Sequence, residues 1–173
     1  MTRAEILGLL GSTASNGGLS TTTHGVVLPF LPEKPLVISF EAGEFDREVV
    51  ATLVANLCEV PRSFHAQATK GLYAACLRSF KVMRDEFESP QHQLDWERDQ
   101  LGPFRQPKAP SSAEEIWPLV KFEEILIGYG RSGTANGKTV AIVSGDCAWD
   151  GEHGVGMVFV EGKTFASIES ANG

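Results

Sequence analysis

Two segments of the chain carry apolar residues at a helical period. Val49, Val50, Leu53, Val54 and Leu57 form one stripe behind Asp46, a residue type that caps helix N-termini. Phe64, Ala68, Leu72, Cys76, Phe80, Met83 and Phe87 form a second stripe, with Pro61 suited to its first turn. Each stripe needs something to cover it, so both helices should lie on a sheet. Strand-like runs occupy residues 25–30, 36–40, 122–129, 139–144, 155–160 and 163–168. Asn136-Gly137 and Glu161-Gly162 stand at joints where hairpin turns belong. The pattern predicts an α+β fold: an antiparallel β-meander of about 4–6 strands with two main helices packed on one face.

The polar segments divide the rest. Thr2 and Glu5 have the spacing of a capping box, so residues 1–10 read as a short amphipathic helix rather than a secretory leader. Residues 11–23 are Gly, Ser, Thr and Asn with almost no apolar content, and read as a flexible connector. The expected organisation is therefore a helix and connector over residues 1–23, followed by a single α+β domain over residues 24–173. Residues 89–112 form a long polar interruption with four prolines, the length of a functional excursion. Ser112 and Glu115 then have capping-box spacing ahead of a short helix with Ile116, Trp117 and Leu119.

At 173 residues, 42% hydrophobic and 21% charged, the chain can bury a globular core. Its net charge of −7 disfavours nucleic acid, whose phosphates are met by Lys and Arg, and suits a basic partner. No apolar run approaches the roughly 20 residues that span a bilayer. Cys58, Cys76 and Cys147 form no Cys-x-x-Cys pair, and Cys58 and Cys76 fall in helical patterns as small core residues. A reducing, cytoplasmic setting is expected.

Motifs for familiar chemistry fail. Residues 133–139 resemble a phosphate-binding loop, but the glycine spacing is one residue short and a strand follows instead of a helix. There is no Gly-x-Ser-x-Gly elbow and no zinc-protease helix. The Glu123-Glu124 pair sits on adjacent strand positions, which point to opposite faces. No catalytic residue and no cofactor is expected.

One segment concentrates chemistry. Asp146, Asp150, Glu152 and His153 fall within eight positions between two predicted strands. These residue types can bind zinc or manganese, but their spacing matches no metal signature, and no metal is expected. The structural reading makes Asp150-Gly151 a turn, His153 a hydrogen-bonded staple and Trp149 a lid on the end of the core. A recognition surface of Trp149 ringed by acids is the alternative.

Cys147-Ala148-Trp149-Asp150-Gly151-Glu152-His153-Gly154, the apolar run that follows it and the Glu161-Gly162-Lys163 hairpin resemble a bacterial family of domains of unknown function with a Cys-x-Trp-Asp-x-Glu-His-Gly signature. Ile116-Trp117-Pro118-Leu119-Val120 fits the same resemblance. Members of such families are often identified as immunity proteins of polymorphic-toxin systems. The resemblance implies a cytoplasmic protein that neutralises a cognate toxin by direct stoichiometric binding. It implies a structural role for Cys147, Trp149, Asp150, Glu152, His153 and Gly154, because an immunity interface varies with its toxin. The expected partner surface is Glu86, Glu88, Asp95, Trp96, Glu97 and Asp99, where carboxylates surround an aromatic anchor. A small metal-dependent enzyme using the Asp146 to His153 loop, and a non-catalytic adaptor, are the alternative readings.

Overall fold

The computed structural model describes residues 1–16, 18–31, 34–86 and 109–170. Along the chain it places α1 (Arg3–Leu10), β1 (Thr13–Asn16), β2 (Leu19–Thr22), β3 (Val37–Glu41), α2 (Arg47–Cys58) and α3 (Phe64–Glu86). A 3₁₀ helix (Ala113–Leu119) then leads into β4 (Val120–Tyr129). A second 3₁₀ helix (Gly133–Ala135) precedes β5 (Thr139–Cys147), β6 (Asp150–Val160) and β7 (Thr164–Glu169). The seven strands form one sheet in chain order. Every neighbouring pair is antiparallel except β3 and β4. A parallel pair needs a long crossover, and α2 and α3 supply it. The fold is α+β as expected, with seven strands among the described residues.

The helices form where their patterns place them. Asp46 accepts a hydrogen bond from the Glu48 amide at 2.9 Å and starts α2. Val50, Leu53, Val54 and Leu57 of α2 are buried, as are Phe64, Ala68, Leu72 and Cys76 of α3. The Thr2–Glu5 capping box is present, with the Thr2 amide donating to Glu5 at 2.7 Å. That backbone bond, and the Thr2 hydroxyl after it, hold the Glu5 carboxyl below its ordinary pKa. Ile6 and Leu10 of α1 are fully buried in the main core, and Arg3 forms an ion pair with Glu48 of α2.

Four aromatic rings tie the helices to the sheet. Phe159 of β6 lies 5.7 Å from Phe30, 5.4 Å from Phe64 and 5.7 Å from Phe165. The 3₁₀ helix Ala113–Leu119 docks on α3 through Trp117, whose ring stacks on His65 at 4.3 Å. The Trp117 indole N–H donates to the Thr69 hydroxyl at 2.8 Å.

Three local expectations are corrected. Residues 11–23 do not form a connector. They hold β1 and β2, and β2 pairs with β3 in register Leu19↔Glu41, Ser20↔Phe40, Thr21↔Ser39. Two hydroxyls of β2 bond to β3: Thr22 Oγ1 accepts the Ile38 amide at 2.9 Å, and the Thr21 and Ser39 hydroxyls meet at 3.1 Å. Residues 25–30 alternate buried Val26, Leu28 and Phe30, yet contribute only the bridge Val26↔Leu36. Pro29 has no N–H to continue a ladder there. Ser112 gives no side-chain cap; the Glu114 amide, and after it the Ser112 hydroxyl, hold the Glu114 carboxyl below its ordinary pKa.

Candidate functional site

The signature residues lie at the hairpin between β5 and β6, whose turn is Ala148-Trp149. Strand pairing continues to Cys147↔Asp150, so the segment expected as a loop is mostly ladder. Cys147 is fully buried and its thiol donates to the Asp150 carbonyl at 3.4 Å. Trp149 is 5% exposed and belongs to the main core, and its carbonyl accepts from Ser79 of α3 at 3.4 Å. Asp150 Oδ1 accepts the His153 amide at 3.0 Å and lies 3.3 Å from the His153 ring nitrogen Nδ1. Gly154 follows with φ of 68°, a conformation that glycine adopts without steric cost. Asp150 and His153 therefore staple the hairpin, and Cys147 and Trp149 anchor it to the helices. Among the described residues, no three His, Cys, Asp or Glu side chains converge as a metal site would require.

Buried thiols add to this anchoring. Burial, and after it the neighbouring Cys147, push the Cys76 thiol up to about 12. A thiol so placed stays protonated and serves as a small apolar group.

Of the expected partner-binding residues, Glu86 is the last of α3. Glu88, Asp95, Trp96, Glu97 and Asp99 lie outside the described residues.

The sheet has a second face that sequence reasoning did not reach. Side chains on a strand alternate between faces. Ile38 and Phe40, Ile125 and Ile127, Ala141 and Val143, and Met157 and Phe159 belong to the core shared with the helices. Their neighbours point the other way. The strand register aligns Ser39, Leu126, Ile142, Val158 and Ser167 in one row across that second face. A parallel row holds Val37, Glu124, Ser144, Gly156 and Glu169. Among the described residues, the helix packed on this side is the short 3₁₀ turn Gly133–Ala135, where Ala135 covers Val140 and Val158.

Beside that turn the face dips into a cavity of about 380 Å³. Leu126, Ile142 and Val158 form its apolar floor, and Gly128 and Gly156 supply strand positions with no side chain. A Cβ at Gly128 would meet nothing within 4 Å, so internal packing does not require glycine there. Glu41, Glu44 and Glu169 stand in its lining beside Arg131. Glu169 Oε1 accepts from the hydroxyls of Ser132 and Ser167, each at 2.6 Å, which orients it. Glycines inside strands mark close approach of a ligand or another backbone, and Gly128 and Gly156 are the sequence signal that could have located this groove.

Residues 10–173 match the family model described as a domain of unknown function (DUF6985), and the chain belongs to that family. No curated protein and no solved structure matches it. No described helix is long and apolar enough to cross a membrane.

Proposed function

We propose that this protein acts by binding another protein, as a cytoplasmic immunity protein that neutralises a cognate toxin through a stoichiometric complex. The observation that carries the binding part is the second sheet face: a concave apolar floor with a carboxylate-bearing rim, on the side opposite the main helices. Interfaces combine an apolar centre with a polar rim in this way. The toxin part rests on the resemblance carried by Cys147 to Gly154, and on a net charge of −7 that would speed association with a basic toxin.

The metal-dependent alternative loses support from the hairpin geometry, because Asp150 turns its Oδ1 to the His153 amide. The adaptor reading predicts a partner without toxicity. Co-expression with the product of the adjacent upstream gene, followed by growth measurement and co-purification, separates the readings. We expect growth arrest from that product alone, rescue by this chain, and a complex of fixed stoichiometry. Healthy growth without this chain, and no complex with it, would contradict the proposal.

A further inference from the structure

The geometry points to the occupant of the groove: a basic segment of the partner, with an apolar side chain flanked by Lys or Arg. This inference rests on the reading that the chain binds a protein. Its first support is shape and polarity. Leu126, Ile142 and Val158 offer an apolar floor, flanked by the bare strand positions Gly128 and Gly156. An apolar group seated there gains burial that water denies it in the free partner. Its second support is charge. Three carboxylates (Glu41, Glu44, Glu169) stand in the lining against one guanidinium, Arg131. Glu41 and Glu44 are exposed and make no ion pair among the described residues. A segment carrying Lys or Arg beside its apolar residue satisfies both features at once, because those long side chains lay their stems on apolar surface and carry the charge outward to the rim. An acidic segment would set like charge against the carboxylates, and a neutral one would leave them facing no opposite charge. Nucleic acid would bring phosphates against them.

The peptide Lys-Leu-Lys-Leu-Lys tests this without knowledge of the toxin, with Glu-Leu-Glu-Leu-Glu as the counterpart of opposite charge. Methyl resonances of the full chain are followed by NMR during titration. The lysine peptide is expected to shift the methyls of Leu126, Ile142 and Val158, and the glutamate peptide is expected to leave them unmoved. The double variant Glu41→Lys, Glu44→Lys changes two exposed side chains and should fold normally. It should weaken the lysine peptide about tenfold, the effect of reversing two exposed charge contacts. Raising the salt from about 20 mM to about 300 mM should weaken binding to the unaltered chain in the same direction. Shifts away from the floor, or equal affinity for both peptides, would overturn the inference. So would a groove already filled by a second copy of the chain, which sedimentation of the unaltered protein would show as a dimer. The two proposals fail separately. A toxin complex indifferent to the Glu41 and Glu44 reversal sinks the groove chemistry alone, while specific peptide binding without a toxin complex sinks the immunity reading alone.

Discussion

Trp149→Ala is expected to destabilise the protein by about 4 kcal/mol, the usual cost of deleting a buried indole and leaving its cavity. Trp149 is 5% exposed and sits at the turn where β5 and β6 meet the outer end of the helical layer. Its backbone neighbours are fixed on both sides: the Ala148 amide donates to the Leu119 carbonyl at 2.9 Å, and the Trp149 carbonyl accepts from Ser79. The turn cannot collapse to fill the gap, so the loss should fall at the upper part of the range. Domains have total stabilities of roughly 5–15 kcal/mol, so the variant should lie close to unfolding at growth temperature. Trp149→Phe retains most of the apolar volume and should cost about 1.5 kcal/mol. Denaturant titration of both variants checks this. A Trp149→Ala chain of unaltered stability that had lost partner binding would restore the reading of Trp149 as a contact residue.

Gly162→Ala should cost about 3 kcal/mol, for two reasons that add. Gly162 and its neighbour Glu161 both hold positive φ, 69° and 52°, in the turn between β6 and β7. An L side chain in that region carries a penalty of about 1 kcal/mol. The larger reason is the neighbour. A Cβ at residue 162 would overlap the Leu53 carbonyl of α2, a backbone atom that cannot rotate away. The turn is held in place there, since the Asn56 side chain donates to the Glu161 carbonyl at 2.9 Å. Either α2 or the hairpin must move, and the expected fall in Tm is about 6–12 °C. Gly43→Ala is the control. Its Cβ would meet nothing within 4 Å, and a melting temperature within about 1 °C of the unaltered chain is expected at so open a surface site. Equal melting temperatures for the two variants would show that the α2–turn contact has no energetic weight.

The helices and the later strands were legible because each is a local pattern. Val50, Leu53, Val54 and Leu57 recur at the period of a turn, and the Asp46 cap and the Glu161-Gly162 turn need only their immediate neighbours. The β1–β2 hairpin was not legible. Its second strand is polar, and the Thr21 and Thr22 hydroxyls bond to strand β3, with Thr22 reaching the Ile38 amide across a separation that no local window contains. Residues 25–30 misled in the opposite sense. Their alternation is real in burial, yet burial alone does not make a ladder when Pro29 interrupts the donors. The signature hairpin joins the two strands that its flanking apolar runs imply, but Asp150-Gly151 has turn chemistry while the chain turns at Ala148-Trp149. The groove was out of reach for a different reason. Leu126, Ile142 and Val158 become neighbours only through the register of three strands, and a sequence does not state its register. Gly128 and Gly156 were visible, but a strand glycine gains meaning only when the face beneath it is known.

Site-specific photocrosslinking within cells that also express the adjacent gene product decides whether the second sheet face meets the partner. A photoreactive phenylalanine analogue at Leu126 samples the groove floor, and the same group at Val82, 55% exposed on α3, samples the opposite side of the molecule. If the second sheet face is the binding surface, the partner is captured from Leu126 and not from Val82. Capture from Val82 alone, with Leu126 silent in a complex that still co-purifies, would show that the partner binds elsewhere than the second sheet face.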